Sequence, residues 1–117
     1  MTTFSLSLST NGAAVVLRPT GYLDNLGAEQ IVDASTGAIR NGCRTLELNC
    51  TDVRFINSVG ISILVSLIQH AREAGCSLSF SHVSRVHQEV FAVVGITKLV
   101  HILPGSLDAA ESTGVRA

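Results

Sequence analysis

The sequence predicts an α/β domain in which an N-terminal β-hairpin and a mixed sheet of about five strands carry about four helices, packed mainly on one face. Two observations predict it. The first seventeen residues read as two strands meeting at an Asn-Gly turn, and beyond them strand-like and helix-like segments alternate. Such alternation implies strand–helix–strand crossovers, and so parallel pairing within the sheet that the hairpin begins.

Each element has its own local cause. In TFSLSLSTNGAAVVL, Phe4, Leu6 and Leu8 alternate with Ser5, Ser7 and Ser9, the period of a strand with one apolar face. Asn11-Gly12 then turns the chain into a second strand through Val15, Val16 and Leu17. Asp24 or Asn25 can cap a first helix whose apolar positions Leu26, Ile31, Val32, Ala34, Ala38 and Ile39 keep helical spacing as far as Asn41-Gly42. TLELNC, from residue 45, is a short strand. RFINSVGISILVSLIQHAREAG, residues 54–75, holds a helix stopped by Gly75 and too apolar to be covered on one side only. A strand CSLSF, a helix from Ser84 to Val94 stopped by Gly95, a strand LVHIL and a terminal helix after Pro104-Gly105 complete the chain.

Composition bounds the function. The 117 residues, 46% hydrophobic with a formal charge of -1, read as one compact soluble domain spanning 1–117, with no linker, repeat or low-complexity segment to divide it. Seven arginines, the single lysine Lys98 and no aromatic-basic cluster argue against nucleic acid or an anionic membrane surface as a partner. The longest apolar run is interrupted by Ser62, Ser66, Gln69 and His70, so no membrane insertion is expected, and MTTFSLSLSTNG lacks the pattern of a signal peptide. A cytoplasmic location follows. Cys43, Cys50 and Cys76 share no metal or redox spacing and read as free, mostly buried thiols.

Catalysis has little to stand on. His70, His82, His87 and His101 do not pair with carboxylates or cysteines at metal-ligand spacing, no phosphate-cradling glycine loop precedes a lysine, and Ser58 has no histidine-acid pair to activate it. The expectation is a protein that is not an enzyme, with no cofactor and no metal. The polar residues of the long helix are more informative: Ser58, Ser62, Ser66, Gln69 and Glu73 follow at steps of three or four and form one stripe, with Ser58 at its head. Ser58 or Asn57 can cap that helix.

Taken together, TGYLD at 20–24, DVRFINSVGISILVSLIQHAREAG at 52–75 and VHQEVFAVVGITKLVHI at 86–102 resemble the STAS domain of bacterial anti-sigma factor antagonists over nearly the whole chain. In that family a Gly-Glu-Leu-Asp-like turn closes the second strand; Gly21, Leu23 and Asp24 match it and Tyr22 departs. The family's switch is an Asp-Ser-Ser-Gly or Asp-Ser-Thr-Gly helix opening, which here reads Asn57-Ser58-Val59-Gly60, followed by Ile61. The resemblance implies that Ser58 is a phosphoacceptor, that Asp24, Asn57, Val59, Gly60 and Ser62 form a partner-binding surface exposed around it, and that the partner is an anti-sigma factor serine kinase. A serine phosphatase would act on the phosphorylated form. Asn57 replaces the acidic residue, and Val59 removes a second hydroxyl and makes the surface more apolar. The alternative is a STAS module that is not phosphorylated and grips its partner permanently, in a signalling scaffold or a lipid-transport ATPase complex.

Overall fold

A computed structural model describes residues 4–103, and the terminal helix expected after Pro104 lies outside them. Strands β1 (Ser5–Asn11) and β2 (Ala14–Leu23) form the expected hairpin, with Gly12 at φ 63° in the turn between them. Helix α1 (Asn25–Arg40) leads to β3 (Thr45–Asn49) and β4 (Asp52–Ile56), and α2 (Ser58–Glu73) leads to β5 (Ser77–Ser81). Helix α3 (Arg85–Val94), a 3-10 turn (Ile96–Lys98) and the two-residue β6 (His101–Ile102) follow.

The sheet runs β1-β2-β3-β5-β6, antiparallel in the hairpin and parallel elsewhere. β2 is long enough to serve two partners on the same side: its first half pairs with β3 and its second half with β4, across a register shift at Gly21/Tyr22. In-register rows Val15–Leu46–Leu78 and Leu17–Leu48–Phe80 form the buried face. Helices cover that face with Ala28 and Ile31 from α1, Leu64, Leu67, Ile68 and Ala71 from α2, and Phe91 from α3. Phe91 meets Phe80 edge-on at 5.5 Å between centroids, the favoured geometry for a buried aromatic pair. The other face carries Arg18, Thr20, Glu47 and Ser79, exposed or half-buried. There Arg18 Nε meets Asp52 Oδ2 at 2.9 Å, an exposed pair of small energetic weight.

Two boundaries differ from expectation. DVRFI is a strand the pattern did not announce, because only Val53 of the five is buried and its partner is the distant end of β2. LVHIL reduces to His101–Ile102, since Ile96 sinks into the core through the 3-10 turn and so consumes the preceding residues. Among the described residues three α-helices stand where about four were expected. The three cysteines are free and buried, as composition suggested.

Candidate functional site

Where β2 and β4 end, they end together: Leu23 pairs with Ile56, so the next residues, Asp24 and Asn57, leave the sheet side by side. Each then caps a helix in the same way. The Asp24 carboxylate accepts the Gly27 N–H at 3.0 Å at the start of α1, and the Asn57 side-chain oxygen accepts the Gly60 N–H at 2.8 Å at the start of α2. Both caps satisfy a backbone donor that the first helical turn leaves without a partner. Asn57, and not Ser58, is thus the cap of α2, which leaves the Ser58 hydroxyl out of that role.

The two glycines are packing residues. A Cβ on Gly60 would lie 2.1 Å from the Leu23 carbonyl oxygen, and one on Gly27 would lie 2.6 Å from that of Tyr22. The same Leu23 carbonyl accepts the Asn57 N–H at 3.2 Å, so α2 is drawn against the end of β2 by a hydrogen bond and held there by the lack of a side chain. This corrects the expectation for Gly60. It is buried, and what approaches it is the domain's own backbone.

The remaining predicted residues fall as follows. Ser58 and Val59 are exposed in the first turn of α2, with Val59 at 49%. Ser62 is exposed and donates its hydroxyl to the Ser58 carbonyl at 3.2 Å, one turn along. Asp24 is half-buried at the neighbouring helix start. Ser66, Gln69 and Glu73 continue the exposed stripe.

Sequence reasoning missed the apolar surroundings. Tyr22-Leu23-Asp24-Asn25-Leu26-Gly27 and Phe55-Ile56-Asn57-Ser58-Val59-Gly60 follow one pattern, aromatic, aliphatic, cap, polar, aliphatic, glycine. In each the residues two before and two after the cap point outward: Tyr22 is 39% exposed, Leu26 65% and Phe55 49%. Tyr22 and Phe55 are strand partners whose rings meet at 5.5 Å. A groove of about 580 Å³ between α2 and α3 is lined by Ile61, Val65, Val90 and Val94 together with Ser58 and Ser62. Comparing the two hexapeptides would have found the first of these features; the groove depends on how α3 is placed.

Little in this site can do bond chemistry. Among the described residues no group of three or more His, Cys, Asp or Glu could hold a metal ion. Burial, with Glu47 nearby, pushes the Cys50 thiol up to about 12, and burial beside Cys43 pushes Cys76 up to about 11, so neither is a ready nucleophile. Desolvation lowers His87 on α3 from its usual value. No described helix is long and apolar enough to cross a membrane.

Comparison with known proteins places this geometry. A family model described as "Mlab, STAS domain" matches residues 6–104. An anti-sigma factor antagonist from Mycobacterium paratuberculosis is 21% identical, with 98% of this chain and 96% of that one covered at a TM-score of 0.73. The anti-sigma factor antagonist SpoIIAA in its unphosphorylated form is also 21% identical, covering 98% and 99% at 0.71. The Bacillus cell fate determinant SpoIIAA in its phosphorylated form is 20% identical, covering 93% and 98% at 0.70.

Proposed function

The chain belongs to the STAS domain family, and from that premise we propose that it is an anti-sigma factor antagonist, which binds an anti-sigma factor serine kinase in a partner switch controlled by phosphorylation of Ser58. It acts by binding and not by catalysis. The observation that carries the reading is the position of Ser58: an exposed residue, free of the capping role, in the first turn of α2, lining an apolar groove and preceding the exposed Val59. One of the similar structures is of a protein in a phosphorylated form, which supports the compatibility of this fold with such a modification.

The physics of the switch is local. A phosphoserine carries about -1.5 to -2 charges. At the start of α2 it meets backbone N–H groups and the positive end of the helix dipole, a stabilisation of about 0.3 to 1 kcal/mol, so the fold tolerates it. A partner surface closed over the same point does not: a buried charge without a counter-charge costs about 2 to 5 kcal/mol, roughly thirty- to several-thousandfold in affinity. Modification ends the complex and leaves the domain intact, and a serine phosphatase acting on the phosphorylated form restores binding. Asp24, Asn57, Val59 and Ser62 contribute to the partner surface, and Gly60 contributes by fixing where they stand.

A second reading has its own support. The neutral Asn57 where the family's switch carries an acid, and the apolar Val59, favour a binding module that holds its partner permanently in a scaffold or a lipid-transport ATPase complex. The deciding experiment incubates the protein with the anti-sigma factor kinase of the same organism and ATP, and locates phosphate by mass spectrometry. Phosphate on Ser58, lost in Ser58→Ala while partner capture persists, supports the switch. Stable capture with no phosphate on Ser58 after prolonged incubation overturns it in favour of the permanent module.

A further inference from the structure

We propose that the recess at the opposite end of α2 from Ser58 is a binding site for a small organic anion, a carboxylate or phosphate monoester carrying an apolar group. Arg72 lies fourteen residues along α2 from Ser58, about 21 Å along the helix axis. The recess there encloses about 450 Å³ among the end of α2, the first residues of β5, the 3-10 turn and β6. Three basic residues, Arg72, Lys98 and His101, line it, and among the described residues no acidic one does. The hydroxyls of Ser77 and Thr97 stand among them, and Ile68, Leu78 and Val100 supply apolar wall.

The basic groups have no other employment among the described residues. The only ion pair there is between Arg18 and Asp52, and Arg72, Lys98 and His101 make no side-chain hydrogen bond. Cations at a helix C-terminus often serve its unsatisfied carbonyls. At this helix end the carbonyls of His70, Ala71 and Arg72 already accept the N–H groups of Ala74, Cys76 and Gly75. Nor is the patch a by-product of a basic protein, since the chain has a net charge of -1.

Two segments remote in sequence, the end of α2 and the stretch from the 3-10 turn to β6, therefore bring Arg72 together with Lys98 and His101, with no counter-charge among the described residues, around a recess in the size range of small-ligand sites. Arg and Lys supply permanent positive charge, and His101 adds a ring N–H donor whether charged or neutral. The apolar wall selects against a bare inorganic ion in favour of one bearing carbon. The site lies away from the helix start assigned to the switch, and its test does not depend on that assignment.

The test is a titration of ¹⁵N-labelled full-length protein with phenyl phosphate and, separately, with inorganic phosphate, followed by amide chemical shifts. The expected result is saturable shifts confined to the segments around residues 68–78 and 97–101, with phenyl phosphate binding at least tenfold more tightly than inorganic phosphate. The doubly substituted Arg72→Gln, Lys98→Gln protein, changed only at exposed positions and checked for an unaltered melting midpoint, loses at least tenfold in affinity. Shifts that stay linear with concentration and scatter over all arginines overturn the site, as does unchanged affinity in the double variant. Equal affinity for the two phosphates overturns the apolar selectivity. Co-sedimentation with phosphatidic acid vesicles, abolished by the same double variant, overturns the small-molecule assignment by making the anion a lipid headgroup.

Discussion

Replacing Gly60 by alanine and Gly37 by alanine is the same chemical change in two helices, and the structure assigns the two opposite signs. At position 60 the new Cβ would lie 2.1 Å from the Leu23 carbonyl oxygen, whereas real Cβ contacts essentially never fall under 3.0 Å; the start of α2 must retreat by about 0.9 Å. A retreat of that size also stretches the 3.2 Å bond from the Asn57 N–H to the same carbonyl beyond hydrogen-bonding range. Overpacking costs about 1 to 3 kcal/mol and the lost bond about 1, against a gain of up to about 1 from alanine's better helix propensity. The net expectation is a loss of about 1 to 4 kcal/mol. At position 37 nothing lies within 4 Å of the built Cβ, and only the propensity gain remains, about 0.5 to 1 kcal/mol. Urea unfolding followed by far-ultraviolet circular dichroism measures both. Unfolding free energies for the two variants that agree within about 0.5 kcal/mol would refute the claim that α2 is seated by the close approach at Gly60.

Other expectations are narrower. Asn57→Ala removes the cap of α2 and lowers stability by about 1 kcal/mol, while Asn57→Asp keeps a capping oxygen, matches wild type in thermal melting and, on the switch reading, is phosphorylated faster by the cognate kinase. Slower or unchanged phosphorylation would remove any role for an acid at this position. The Ser35 hydroxyl is buried in α1 without a hydrogen-bond partner among the described residues, so Ser35→Ala is expected to raise the melting midpoint by about 4 °C, near 1 kcal/mol; a lower midpoint would mean that the hydroxyl is bonded. With Cys50 at about 12, about one thiol in ten thousand is ionised at pH 8, so Ellman's reagent should label the native protein slowly and all three cysteines quickly once unfolded. Stoichiometric labelling of native protein within minutes would show that the thiols are accessible.

Much of this architecture was legible because its causes are local. The hairpin follows from Asn11-Gly12 between alternating segments, α1 from a capping Asp24, and α3 from Ser84 before it and Gly95, at φ 90°, after it. What escaped was non-local. DVRFI becomes a strand because the far half of β2 is free to pair with it, and nothing within five mostly outward-facing residues announces that. Gly60 offered the same difficulty, since a glycine beside an exposed serine fits a partner surface as well as a tight internal contact, and only the position of the Leu23 carbonyl decides between them. Ser58 itself was found through a motif, and its exposure agrees with that placement.

The paired helix starts also constrain how the chain can diverge. Positions 27 and 60 admit almost no side chain, whatever the protein binds, because the obstacle is backbone that belongs to the domain. Drift should therefore spare both glycines while changing Gly37, and it should run fastest at the outward positions 22, 26, 55 and 59, where a new partner would impose new demands. In descendants of this sequence, glycine at position 60 would mark inheritance of the fold. On the switch reading, gain or loss of phosphorylation would be read from positions 57 and 58.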